Sequence, residues 1–119
     1  GKLFENLVVL EALKCQLNEG REPNLFFFRN SNGVEVDLLH LRKKGLDLFE
    51  IKSGKSFNAD FGKPMKSFAQ KYAMHISNNP PTVIYSGQST ESFMNVRYAN
   101  FKDINKFFDE KEERFRLRF

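Results

Sequence analysis

The chain has 119 residues, enough for one ordinary domain and too few for two. Apolar residues make up 40% of it, so a real core can form; with 14 Phe and no Trp, that core must be built on phenylalanine. The net charge of +4 permits an anionic partner without demanding one, the single cysteine excludes an internal disulfide, and no run reaches the ~18 apolar residues a membrane-spanning helix needs.

The chain opens without Met and directly in a helical pattern, which points to a piece of a longer protein. No signal peptide is visible, and a lone Cys15 on a helix, read as a small buried or half-buried side chain, fits a cytoplasmic setting. From Lys2 to Leu17 the residues Leu3, Phe4, Leu7, Val8, Leu10, Leu13 and Leu17 recur at helical spacing, and Gly20 is placed to end the helix. Leu25 to Arg29 is a short apolar run bounded by turns, which predicts a buried strand. After the turn Asn30-Ser31-Asn32-Gly33, Val34–Arg42 and Leu46–Ser53 read as two further strands.

Beyond a polar loop from Gly54 to Asp60, a second helix is predicted over Lys63–His75, with Pro64 in its first turn and Met65, Phe68, Ala69 and Tyr72 as its apolar stripe. Asn78-Asn79-Pro80-Pro81 ends it. Thr82–Tyr85 and Phe93–Tyr98 read as strands, and Phe101 to about Glu112 as a closing helix with Ile104, Phe107 and Phe108 apolar. The order is α/β, with a hairpin-rich mixed sheet and one domain over residues 1–119.

The hairpin carries the chemistry. A two-residue turn at Lys44-Gly45 pairs Lys43 with Leu46, Leu39 with Glu50, and Asp37 with Lys52. Opposed residues share a face, so one face holds Asp37, Leu39, Leu41, Leu46, Leu48, Glu50 and Lys52. The other holds Val36, Leu38, Phe49 and Ile51, with His40 and Asp47 toward the turn. Both faces are apolar for most of their length, which predicts a central hairpin covered on both sides by helices. Asp37, Glu50 and Lys52 interrupt one face at the end away from the turn. Burying such groups costs several kcal/mol each unless they are paired, hydrogen-bonded or bound to metal. Two converging carboxylates suit a hard divalent cation, and a lysine at i+2 on the same strand face can orient a water or stabilise developing negative charge. The same three side chains also suit a buried salt bridge holding the hairpin in register, and from the residues alone both readings stand.

The Phe4-Glu5 pair of the first helix, Phe26-Phe27-Phe28-Arg29, Glu35-Val36-Asp37 and Glu50-Ile51-Lys52 together resemble the PD-(D/E)XK nuclease-like superfamily. More closely, the pattern resembles the C-terminal domain that follows the ATPase domain in a large family of prokaryotic AAA-type ATPases. The resemblance covers roughly residues 1–72. It implies a restriction-endonuclease-like mixed β-sheet with a central hairpin and helices on both faces. It also implies Asp37 and Glu50 as ligands of Mg²⁺ or Mn²⁺, Lys52 as the catalytic lysine, and Glu5 as a helix carboxylate beside them. The function implied is that of a magnesium-dependent nuclease domain acting on a phosphodiester, DNA before RNA. ATP would be handled only by an ATPase domain outside this chain, which is the other implied partner. The alternative is a catalytically silent module of the same fold, regulating or docking that ATPase. Val36 stands where the superfamily has Pro. Gln70 and Tyr72, two residues apart, cannot share a helical face as the Gln and Tyr of RecB-like members do, so neither is assigned a role.

Other features carry bland and functional readings side by side. Glu5 in a first helical turn is favoured by the helix dipole alone. Lys43, Lys44, Lys52, Lys55, Lys63, Lys66 and Lys71 read as a phosphate-attracting face or as solvated surface. Passive nucleic-acid binding through that face is a third functional reading. His40 and His75 are isolated, which argues against zinc, and no Walker-type glycine loop is present. The alternating tail Arg114–Phe119 reads as an edge strand or a segment packed on the domain.

Overall fold

The computed structural model describes residues 1–108, with Glu91 in its backbone only; the predicted tail Arg114–Phe119 and the end of the closing helix lie outside the described residues. Helix α1 spans Lys2–Asn18. Strands β1 (Leu25–Arg29), β2 (Glu35–Arg42) and β3 (Gly45–Ile51) form an antiparallel meander. Helix α2 (Lys63–Lys71) then carries the chain across one face to β4 (Thr82–Tyr85), which lies parallel to β3, as a parallel neighbour requires. Strands β5 (Thr90–Phe93) and β6 (Val96–Asn100) form a hairpin whose second strand is parallel to β4, and the short helix α3 (Asn105–Phe108) follows. The result is a mixed α/β fold around one six-stranded sheet of order β1-β2-β3-β4-β6-β5.

Helices cover both faces of the central strands. On the α2 side Met65 and Phe68 pack on Val36, Leu39, Leu48, Val83 and Tyr98. On the other side Val8 and Ala12 of α1 and Ile104 and Phe108 of α3 pack on Leu38, Phe49, Ile51 and Ile84. Against expectation, phenylalanine does not dominate the core: Val, Leu and Ile supply most of the buried side chains, with Phe49, Phe68 and Phe108 among them, while Phe26, Phe27 and Phe57 are exposed; Phe28 meets Phe68 edge-on at 4.8 Å, and Phe49 meets Phe108 at 4.9 Å.

The structure corrects several expectations. Strand β1, expected to be buried, lies at the edge of the sheet, with Phe26 and Phe27 exposed. The β2–β3 turn is Lys43-Lys44, not Lys44-Gly45: Arg42 pairs with Gly45, Leu41 with Leu46 and Leu39 with Leu48. Gly45 has entered the strand because the chain at residues 75–77 crosses it closely, with Ser77 N–H donating to Leu46 O at 3.0 Å. A Cβ on Gly45 would lie 2.8 Å from Ser77 N and 2.9 Å from His75 O. The slip relative to expectation is two residues, an even number, so the faces of Leu39, Leu48, Leu38 and Phe49 are as read from the sequence.

Val36 is the exception. Phe26 pairs with Leu39 but Phe28 pairs with Val36, so one residue of β1 opposes both Asp37 and Leu38. This bulge in β2 inverts the alternation before it, and Val36 joins the α2-side core instead of Leu38's.

The single strand predicted over Phe93–Tyr98 is a hairpin. Met94 (φ 50°) and Asn95 (φ 64°) are both left-handed, as a tight two-residue turn needs, and Met gives no turn signal in the sequence. Helix α2 ends at Lys71 and a 3₁₀ turn, Ala73–His75, completes the predicted span; a 3₁₀ turn at Phe101–Asp103 likewise begins the closing helix.

The buried side of α1 is Val8, Ala12 and Gln16, whereas Leu3, Leu7, Leu10 and Leu17 are each more than half exposed. The helix is apolar around most of its circumference, so periodicity alone could not choose the sheet side. Small Ala12 allows close approach. Gln16 is buried because its amide nitrogen lies 3.1 Å from His40 Nε2 and also hydrogen-bonds Asn24 Oδ1.

Gly45→Ala is expected to cost about 2 kcal/mol or more, since it combines φ +122° with backbone overlap. Gly33→Ala, at φ +83° but in open space, is expected to cost about 1 kcal/mol. Denaturant unfolding of both variants checks the contrast.

Candidate metal centre

The bulge and the end of β3 bring the expected residues together. Continuing the hairpin register past Leu38–Phe49 sets Asp37 opposite Glu50, not opposite Lys52. At that point the backbone ladder between β2 and β3 stops, and the Ile51 N–H donates to Asp37 Oδ2 at 2.9 Å. β3 runs on against β4 alone, where the Lys52 N–H donates to Ile84 O at 2.9 Å. Glu50 and Lys52, two apart on this extended stretch, therefore point the same way.

Glu50 is buried, 5% exposed, with its carboxyl within hydrogen-bonding reach of Asp37. Lys52 Nζ stands 3.9 Å from Glu50 Oε1, too far for a good hydrogen bond, and 5.6 Å from the centre of the Phe61 ring. Glu50 Oε2 is buried and receives no hydrogen bond from any described donor. The Glu50 carboxyl has the Asp37 carboxylate, another acceptor, as a neighbour. An acceptor facing an acceptor is satisfied only by a shared proton or a cation.

The electrostatics agree. Burial pushes Glu50 up to about 9, Asp37 adds to the rise through a hydrogen bond and through its charge, and Lys52 opposes it. Glu5, half-buried on the first turn of α1, is raised by burial and then by the charges of Asp37 and Glu35, with Lys2 and Lys52 opposing. Glu5 therefore faces the same cluster.

Sequence reasoning missed two participants. Glu35, two residues before Asp37, adds negative charge to the site and pairs with Arg29 at 2.5 Å. Phe61, on a 3₁₀ turn (Ala59–Gly62) after a polar loop, lies beneath the Lys52 ammonium. The i, i+2 spacing of Glu35 and Asp37 was the available signal for the first; nothing in the sequence marks the second.

The donor set fits a hard divalent ion: Asp37 and Glu50 offer two convergent carboxylates, and a magnesium-sized ion keeps several waters when held by one or two carboxylates. No group of three His, Cys, Asp or Glu is placed to hold a metal among the described residues.

The remaining residues singled out in the sequence lie elsewhere. His40 is fully buried, its ring 5.1 Å from Phe108, and His75 is exposed. Cys15 is half-buried with its thiol donating to Asn105 Oδ1 at 2.8 Å. Tyr72 packs on Phe28 and Phe68, and Gln70 is exposed. The seven lysines do not form one face: Lys43 and Lys44 sit at the hairpin tip, the opposite end from Lys52, and Lys63 is paired with Asp60 at 3.2 Å. No described helix is long and apolar enough to cross a membrane.

Glu50 also sets a pH dependence. Its folded value near 9 exceeds its ordinary 4.5, so the folded state binds more protons between those limits. Stability from this group is full below about pH 4.5 and is lost as pH rises toward 9, at up to about 1.4 kcal/mol per pH unit. Without metal, Glu50→Gln is expected to be the more stable protein at pH 8 and to approach wild type near pH 5. Parallel urea titrations across this range check both the sign and the flattened slope.

Neither a curated protein nor a solved structure matches the chain. The family model Domain of unknown function (DUF4143) matches residues 1–107, a span that holds every element from α1 to β6 and all of Glu5, Glu35, Asp37, Glu50 and Lys52. The chain belongs to the DUF4143 family.

Proposed function

We propose that this chain is a metal-dependent nuclease-like domain of restriction-endonuclease-like fold, acting on a nucleic-acid phosphodiester beside an AAA-type ATPase domain. The observation that carries the reading is the buried Glu50 carboxyl beside Asp37, with its Oε2 lacking a hydrogen-bond partner among the described residues and the Lys52 ammonium 3.9 Å from its Oε1. Asp37 and Glu50 would hold Mg²⁺ or Mn²⁺, which would supply Lewis-acid polarisation of a phosphate and an activated water. Lys52, anchored through its backbone on β4 and 41% exposed at its side chain, orients the attacking water or stabilises the charge that develops on the phosphate. Glu5 completes the acidic wall from α1. The ATPase partner rests on the resemblance of the Phe4-Glu5, Glu35-Val36-Asp37 and Glu50-Ile51-Lys52 elements to the domain that follows such ATPases, and ATP enters only through that partner.

A silent module of the same fold is the competing reading. It is favoured by the raised Glu50, which lets the carboxyl pair satisfy itself with one shared proton. The two readings part on two measurements. Calorimetric titration of wild type with Mn²⁺ is expected to show one site that Asp37→Ala and Glu50→Ala abolish. Incubation of single- and double-stranded DNA and RNA with Mg²⁺, with the ATPase partner present, is expected to show cleavage that Lys52→Ala lowers by about 100-fold or more while keeping Mn²⁺ binding. Metal binding without cleavage of any substrate sinks the catalytic reading and leaves the silent one.

A further inference from the structure

Helix α1 turns a row of leucines away from the sheet. Leu3, Leu7, Leu10 and Leu17 are 76%, 53%, 54% and 53% exposed, and helical spacing sets them opposite the buried edge of Val8, Ala12 and Gln16. The outer face of a surface helix ordinarily carries polar residues, and a row of exposed leucines marks a contact surface. Lys14, 65% exposed at its side chain, falls in the same row. Leu3, Leu7, Leu10, Lys14 and Leu17 are separated by four, three, four and three residues. That is the seam spacing of a coiled coil, so the face suits another helix.

The charges at the seam select a second copy of α1. Glu11 flanks the row one turn before Lys14, and the two pair at 3.5 Å on the outside of the helix. Consider an antiparallel pair whose two-fold axis lies level with Ala12. Leu7 then faces the partner's Leu17, Leu10 faces the partner's Lys14, and Lys14 comes beside the partner's Glu11. Each contact is made twice, so leucine layers at both ends enclose two crossed ion pairs. A parallel pair would instead set Lys14 against its own copy, like charge on like.

A cavity of about 420 Å³ lies on the same flank, between α1 and the segment after β6. Phe4, Leu7, Phe101 and Ile104 give it apolar walls, and Glu11 belongs to its lining. In the antiparallel pair the partner's Leu17 arrives at Leu7 and the partner's Lys14 at Glu11. An apolar side chain thus meets the apolar wall, and an ammonium meets the carboxylate.

We propose that α1 is a dimerisation helix, pairing antiparallel with α1 of a second copy of this chain across Leu7, Leu10, Lys14 and Leu17. The inference stands apart from the nuclease reading, because it uses none of Asp37, Glu50 and Lys52. A helix of 17 residues is about 25 Å long, so the contact is at the small end of specific interfaces and dissociates on dilution.

Sedimentation equilibrium of the full chain over roughly 1 to 500 μM tests the proposal. Wild type is expected to dimerise with a dissociation constant of roughly tens of micromolar. Leu10→Glu puts a carboxylate into the apolar seam and is expected to weaken association about 100-fold or more. Glu11→Lys and Lys14→Glu each create like-charge pairs and are expected to weaken it about five-fold. The double reversal Glu11→Lys with Lys14→Glu rebuilds the crossed pairs and is expected to return within about two-fold of wild type. All three positions are exposed in the single chain, so the variants keep their fold, which circular dichroism checks. A chain monomeric throughout the range, a dimer that Leu10→Glu leaves intact, or a double reversal no tighter than the single ones overturns the proposal. In the first case the leucine row is left for a partner outside this chain.

Discussion

Asp37 and Glu50 aim two carboxyl groups at each other where water is largely excluded, and the arrangement at this end of the sheet follows from that confrontation. Two ionised carboxylates cannot share such a place without a proton or a cation between them. One Asp37 oxygen is satisfied by the Ile51 N–H, a donor left over where the β2–β3 ladder stops. One Glu50 oxygen has Lys52 at 3.9 Å. The other, Oε2, is buried and has no hydrogen-bond donor among the described residues. The Lys52 ammonium forms a long ion pair with Glu50 at 3.9 Å, and it is partly exposed and rests over Phe61.

The bulge in β2 makes the geometry possible. Had the strand alternated regularly, Val36 and Leu38 would have packed on one face together. The extra residue lets Val36 enter the α2-side core, ends the ladder and frees the Asp37 side chain to take the Ile51 N–H in place of a backbone carbonyl. β3 escapes the same fate because β4 supports it one residue further, through Lys52 N–H and Ile84 O. Glu50 and Lys52 are thus fixed by a parallel strand that the hairpin alone would not provide, and α1 closes the end with Glu5.

Much of this was legible in the residues. Two apolar hairpin faces required helices on both sides, and three polar residues at one end of that hairpin required a reason to be buried together. The grouping survived an error in the turn because the true register differs by two residues, which preserves faces. What the sequence hid was set by distant contacts. Gly45 reads as a turn residue, yet it serves the crossing of residues 75–77. The leucines Leu3, Leu7, Leu10 and Leu17 of helix α1 lie along one stripe that stays exposed, and the choice of Val8, Ala12 and Gln16 as the buried edge instead depends on His40 and Asn24, which lie far along the chain. Met94 in a left-handed turn breaks the local rule that would have divided the last strand in two. Phe61 joins the site through a 3₁₀ turn that has no sequence signature.

The central claim is that the Asp37–Glu50 pair holds a proton that a divalent cation displaces. Ligands of a metal must be deprotonated, so binding at neutral pH has to release what the pair holds. Calorimetry of Mn²⁺ binding at pH 7 in buffers of differing ionisation enthalpy measures that release directly. About one proton leaving per Mn²⁺ bound, and none released in Glu50→Gln, is the result expected. Mn²⁺ binding with no proton released, or no binding at all, would contradict it.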